Sequence, residues 1–265
     1  MIASLSPLNY TISVTLLSIL GLMAMLWVGS LIRRDAGIVD PFWGTGFAVV
    51  VWIAWLLNRP VTDRGTLLAV LTTIWGLRLS IFLLIRNLGH AEDYRYRAMR
   101  DHHGPRFWWV SLVTVFLLQA VILWFVSLPV QVALVDHSAA AIGVADFLGI
   151  LLWAVGLFFE SVGDWQLYKF KQNPENNGRV MDRGLWRYTR HPNYFGDFCV
   201  WWGLFLIAAG GGARWTVFSP LLMSFLLLKV SGVRLLERTI TDRRPDYAAY
   251  KERTNAFFPG PPKSR

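Results

Sequence analysis

The sequence predicts an all-α, polytopic membrane protein with seven transmembrane helices, its N-terminus outside and its C-terminus cytoplasmic. Three observations predict it. Of 265 residues, 54% are hydrophobic and only 16% are charged, against about 25% charged in soluble domains. The apolar residues fall in runs near the roughly 20 residues that cross a bilayer. The basic residues sit between those runs, overwhelmingly on one side. The 14 Trp and 17 Phe fit the same reading, because aromatic rings gather at bilayer interfaces. A net charge of +9 invites a nucleic-acid partner, but clusters between apolar runs point to membrane lipids instead, and no nucleic acid is expected. The single cysteine, Cys199, excludes an internal disulfide or a cysteine-only metal cluster.

In chain order the apolar runs are Tyr10–Ile32, Phe42–Leu57, Thr66–Ile85, Phe107–Leu128, Ala141–Leu167, Phe195–Ala209 and Trp215–Leu235. The first lacks a basic leader and a small-x-small cleavage site, so it reads as a retained helix. The second and sixth are short for a crossing. The fifth is long and is expected to emerge from the membrane. With the N-terminus outside, the cytoplasmic segments carry twenty Lys and Arg, while the opposite side carries only Arg59, Arg64 and Arg214. In a bacterium this places the chain in the inner membrane. No internal repeat or low-complexity tract is present.

Polar residues concentrate at the predicted cytoplasmic edge. Glu160 and Asp164 end the fifth run one helical turn apart, on one face, and Lys171 follows on that face. Ionisable groups within a span mark functional sites by default; the same positions also suit an interfacial helix end with both acids in water. The loop Gln172–Asp182 is rich in turn-formers and carries Arg179. Beyond it, Arg187-Tyr-Thr-Arg190-His191-Pro192-Asn193-Tyr-Phe-Gly-Asp197 abuts the sixth run. Pro192 biases His191 away from helix, and Asn193 falls at a helix start, where an anion is favoured. The tail carries Arg238, Asp242, Tyr247 and Tyr250. At the mouth of the second run stands Asp40-Pro-Phe-Trp-Gly, and the third loop reads Glu92-Asp-Tyr94-Arg-Tyr96-Arg. Either a phenol or a protonated carboxyl there would donate to a carbonyl, or both serve ordinary loop packing. No dinucleotide glycine fingerprint or Walker loop occurs, and His102-His103 lacks metal-ligand spacing, so no metal is expected.

The run Gly184-Leu-Trp-x-Tyr188-x-Arg190-His191-Pro192-Asn193-Tyr194-x-Gly196-Asp197 resembles the signature of the integral-membrane steroid 5α-reductases, the sterol C14 and C7 reductases and their bacterial relatives. Gly163-Asp164, Arg238-x-x-x-Asp242 and the Tyr247…Tyr250…Phe258-Pro259 tail extend the resemblance over residues 33 to 259. It implies a seven-helix enzyme that opens an NADPH pocket to the cytosol, with substrate-side helices over 33–130 and a cofactor region over 141–259. By position, Glu160, Asp164, Lys171, Arg179, Arg190, His191, Asn193, Asp197, Arg238, Asp242, Tyr247 and Tyr250 would line that pocket. The substrate would be a lipidic or steroid-like 3-keto-4-ene, reduced at its C=C bond. In the animal enzymes a Glu on the second helix and a Tyr on the third hold the ketone. Asp40 stands near the Glu position, Trp75 near the Tyr position, and Tyr94 or Tyr96 would replace the missing phenol. Isoprenylcysteine carboxyl methyltransferases carry a similar Arg-His-Pro-x-Tyr run and tail, which leaves methyl transfer from S-adenosylmethionine as the alternative. Asp164 and the Asn after Pro192 favour the reductases.

Overall fold

The computed structural model describes residues 5–136, 141–230, 232–233, 237, 240, 244 and 246–263. Among them every regular element is helical. Six helices are long and apolar enough to cross a membrane: Pro7–Arg33, Ala36–Leu57, Asp63–Asn87, Tyr94–Val126, Val144–Gln172 and Ala213–Val230. The sixth predicted run forms a further helix, Pro192–Gly210, whose polar first turn leaves it outside that group. The helices extend about a turn past the apolar runs because polar caps belong to them. Ser6 accepts the Asn9 N–H and Thr62 accepts the Gly65 N–H at the two N-termini they cap.

The chain divides into two compact units, Met1–Ile142 with Ala208–Ser219, and Gly143–Ile207 with Pro220–Arg265. The first contains α1 (Pro7–Arg33), α2 (Val39–Leu57), α3 (Asp63–Asn87), α4 (Tyr94–His103), α5 (Phe107–Ser111), α6 (Leu118–Val126) and α7 (Leu128–Val135). Helices α2 and α3 meet backbone to backbone: a Cβ on Gly44 or Gly76 would strike the other's carbonyl oxygen. Beside that contact Ser80 Oγ accepts the Thr45 N–H at 2.8 Å, and Phe47 meets Trp75 edge-on at 5.3 Å. A buried amide network joins α1 to α7. The Thr15 hydroxyl donates to Gln131 Oε1 at 2.6 Å, and Gln131 Nε2 donates to Ser127 Oγ at 2.7 Å. The fourth predicted run is not α-helical throughout. A π-helical stretch, Leu112–Leu117, separates α5 from α6.

The second unit contains α8 (Val144–Gln172), most of α9 (Pro192–Gly210) and of α10 (Phe218–Phe225), and α11 (Tyr247–Arg253). Glycines spaced by seven residues on α8 face glycines so spaced on α9. A Cβ at Gly149 would lie 2.7 Å from the Gly203 carbonyl oxygen, and one at Gly156 would lie 2.5 Å from that of Gly196. Two turns further along α8, Gly163 meets the Pro192 ring. Small residues let helix backbones approach closely in a bilayer. A spacing of seven keeps the seam in register along a left-handed crossing.

Candidate functional site

The second unit gathers polar residues where α8 ends and α9 begins. Pro192 opens α9 with its ring-fixed φ, and His191 lies outside the helix, as expected before proline. Asn193 in the first turn accepts the Tyr194 N–H through Oδ1 and donates through Nδ2 to Asp164 Oδ1, both at 3.1 Å. Asp164 and Glu160 are buried on α8. The absence of a side chain at Gly196 makes room for Glu160, whose Cγ would stand 2.7 Å from a Cβ there. Asp197, a turn beyond Asn193, is half-buried.

Arg190 is the hub of the same end. Its Nε donates to Glu237 Oε1 at 2.7 Å, and its Nη1 donates to the carbonyls of Thr254 at 2.5 Å and Lys251 at 3.1 Å. Its own N–H donates to the Asn255 carbonyl at 2.9 Å. The His191 ring stacks on Tyr194 with centroids 5.5 Å apart, and its Nε2 lies 3.3 Å from Glu237 Oε1. Burial pushes the Glu237 carboxyl up, but hydrogen bonds from His191 and Arg190 outweigh it and hold the group at about 2. On α11, burial raises the Tyr247 phenol to about 12, with the Glu237 charge adding to the effect. Burial raises Tyr250 too, and its hydroxyl donates to the Trp186 carbonyl. Arg190 and Tyr250 thereby stitch the segment before α9 to the C-terminal helix.

Two clefts open on this unit. One, of about 270 Å³, is lined by Lys171, Asn173, Asn176, Asn177 and Arg244 among others. The other, of about 510 Å³, is walled by Asp182, Arg183, Arg187, Arg253 and Pro262. Lys171 and Arg179 are exposed, and the Arg179 carbonyl accepts from Arg244. Arg238 and Asp242 lie outside the described residues.

In the first unit the structure brings Asp40 and Tyr96 together from positions 56 apart in the chain: the Tyr96 hydroxyl donates to Asp40 Oδ1 at 2.6 Å. Arg95 Nη2 donates to Asp40 Oδ2 at 2.9 Å. Asp93 caps α4 by accepting the Arg95 N–H, and also accepts from Arg95 Nε, each at 2.9 Å. Glu92 accepts the Ala36 N–H at 2.8 Å and pairs with Arg100 at the same distance. Burial raises Glu92 and Asp93, but these bonds hold both below the usual carboxylate range. Residues 92–96 thus clasp the start of α2. Tyr96 is 6% exposed and Tyr94 is 46% exposed, so the helical turn aims the first of them at Asp40. Trp75 is fully buried against Phe47. Sequence reasoning did not single out Arg95, Gln119 or Glu237 as site residues. Gln119 Nε2 lies 3.5 Å from the Tyr96 hydroxyl. A Gln inside an apolar run is a readable signal; the reach of Arg95 and Glu237 to distant partners is not.

Known proteins resemble this chain to different extents. An uncharacterized protein of Schizosaccharomyces pombe is 26% identical over 265 residues, covering 89% of this chain and 76% of that protein. A probable O-methyltransferase, UstE of Ustilaginoidea virens, is 40% identical over 63 residues, covering 24% of this chain and 22% of its own length. No solved structure matches the chain. The model of a family described as a protein of unknown function, DUF1295, matches residues 26–254, nearly the whole helical region described above, and the chain belongs to that family.

Proposed function

We infer that this protein is an NADPH-dependent reductase of a conjugated C=C bond in a lipidic, steroid-like enone. The observation that carries the reading is the partly buried bond between Tyr96 and Asp40, 2.6 Å long, at the start of an apolar helix. An enone reduction needs an acid at the ketone oxygen, and methyl transfer has no use for one. When bound, NADPH supplies the hydride for the β-carbon. The chain's part is to stabilise the charge that develops on the ketone oxygen. Tyr96 is the donor placed for that task. With Asp40 protonated, the carboxyl donates to the phenol oxygen and frees the phenol proton for the ketone. Arg95 positions the carboxylate between turnovers, and Gln119 steadies the phenol.

The residues of the second unit fit the cofactor. Lys171 and Arg244, with the amides of Asn173, Asn176 and Asn177, line a cleft suited to phosphates. Glu160 and Asp164 offer buried acceptors to ribose hydroxyls or an amide, with Asn193 oriented by Asp164. The excess of Lys and Arg puts the N-terminus outside and this end of α8 in the cytoplasm, and α9 makes the sixth of seven crossings. The glycine seam supports this, because it holds α9 against the spanning helix α8 along most of its length.

The partial likeness to a probable O-methyltransferase favours a second reading, methyl transfer from S-adenosylmethionine. Calorimetric titration of the purified chain with each cofactor separates the two. NADPH should bind, and Asp164→Ala or Asn193→Ala should weaken it roughly 10- to 150-fold, the worth of one hydrogen bond to a charged group. Binding of S-adenosylmethionine but not NADPH would replace the reductase with the methyltransferase.

A further inference from the structure

The larger cleft of the second unit takes no part in the proposed chemistry, yet it is firmly built. One wall is the short 3-10 turn Gly184–Arg187. That turn is pinned by the Leu185 N–H to Gln166 Oε1 and by the Trp186 indole N–H to the Gly163 carbonyl, both at 3.0 Å. The facing wall is the C-terminal segment. It is strapped in place by the Gly260 N–H to the Tyr188 carbonyl at 3.1 Å and the Lys263 N–H to the Arg253 carbonyl at 2.9 Å. Buried Thr254 forms part of the lining.

The charge in this cleft is unbalanced. Its one acid, Asp182, is spent on Arg253 at 2.6 Å. Among the described residues Arg183 and Arg187 have no carboxylate partner, and both are exposed. A concave site of about 510 Å³ with two unspent guanidinium groups calls for an oxyanion. Guanidinium binds phosphate oxygens bidentately, which favours phosphate over a simple halide. The surroundings indicate where the phosphate comes from. Tyr188, next in the chain to Arg187, is 45% exposed, and an aromatic ring so placed suits headgroup level. The cleft also belongs to the connection between two apolar helices, where basic residues attract anionic lipid.

We propose that the cleft walled by Arg183, Arg187 and Arg253 binds the phosphate of an anionic phospholipid headgroup. The inference stands apart from the reductase reading, since none of these arginines is assigned to NADPH. The test uses the full chain in neutral detergent, titrated with short-chain phosphatidylglycerol and with the matching phosphatidylcholine. Phosphatidylglycerol should bind at least ~10-fold more tightly, and Arg183→Gln/Arg187→Gln should weaken it about 30-fold at low salt, from roughly tenfold or less for each charge near a membrane surface. The variant should keep the wild-type melting temperature. Arg33→Gln/Arg106→Gln removes the same charge from exposed positions elsewhere and should leave the affinity within about 2-fold. Equal loss in both double variants would reduce the effect to bulk charge and overturn the proposal. Binding of inorganic phosphate without binding of the lipid would overturn the lipid source. Loss of NADPH binding in Arg183→Gln/Arg187→Gln would assign the cleft to the cofactor instead.

Discussion

Asp40 has both carboxylate oxygens engaged, one by the Tyr96 hydroxyl and one by Arg95. It therefore rests as an acceptor, and Tyr96 is the better placed donor. Tyr96→Phe removes one hydroxyl and keeps the ring, so turnover of a 3-keto-4-ene substrate should fall about 10²-fold or more, the size seen when one oxyanion donor is lost. Asp40→Asn should cost a comparable factor, while NADPH affinity stays within a few-fold. Full activity in Tyr96→Phe would place the ketone elsewhere. A second residue-scale prediction concerns Glu237, whose carboxyl is held at about 2 against an ordinary value of 4.5. A depressed folded-state pKa contributes stability that is complete above the ordinary value and vanishes as pH falls through the folded one. Wild type should therefore unfold at a higher temperature than Glu237→Gln at pH 7. The gap should close between about pH 4.5 and pH 2. Melting curves in detergent at pH 7 and near pH 2 check both statements.

Among the elements, the pairing of α8 with α9 has the sharpest sequence requirement. Leu at Gly156 would drive a side chain into the Gly196 carbonyl and the Val200 backbone. These are main-chain atoms, which cannot rotate away, and overpacking a close contact costs about 1–3 kcal/mol or more. Gly156→Leu should lower the melting temperature by several degrees and disturb the Asn193–Asp164 bond at the end of the seam. Gly21→Leu, where no atom lies within 4 Å of a new Cβ, should cost nothing measurable and serves as the control. Much of this level was legible in advance. Apolar run length located every long helix, and Pro192 marked where α9 begins. Glu160, Asp164 and Asn193 could be grouped from helical spacing and adjacency to that proline. The seven-residue glycine spacing was present in the sequence, but a glycine run does not say which helix it faces. The meeting of Tyr96 with Asp40 and of Arg190 with Glu237 was not legible either, because each depends on tertiary packing across 56 and 47 positions. The π-helical stretch Leu112–Leu117 left no mark in an apolar run.

For the whole molecule the open choice is between six and seven crossings, which decides whether the ends of the chain share a side. Apolarity alone selects six helices and leaves α9 out because Asn193 and Asp197 crowd its first turns. Packing argues the other way. Helix α8 is long and apolar enough to span, and α9 runs antiparallel to it from Gly163 at one end to Gly149 at the other. Two helices in backbone contact over that distance lie at similar depth, and this supports the proposed crossing by α9. On the proposed topology the polar first turn lies at the cytoplasmic edge, the side to which the excess of Lys and Arg assigns it. Cys199 is buried, so single introduced cysteines can be read against a quiet background. Arg59→Cys lies in the loop between α2 and α3, Asn177→Cys in the loop after α8, and Lys263→Cys near the C-terminus; both Arg59 and Asn177 are exposed. In sealed right-side-out vesicles an impermeant maleimide should label Arg59→Cys and spare the other two until detergent is added. Labelling of Lys263→Cys together with Arg59→Cys, with Asn177→Cys still protected, would mean that α9 turns back before crossing and that six spans is the correct number.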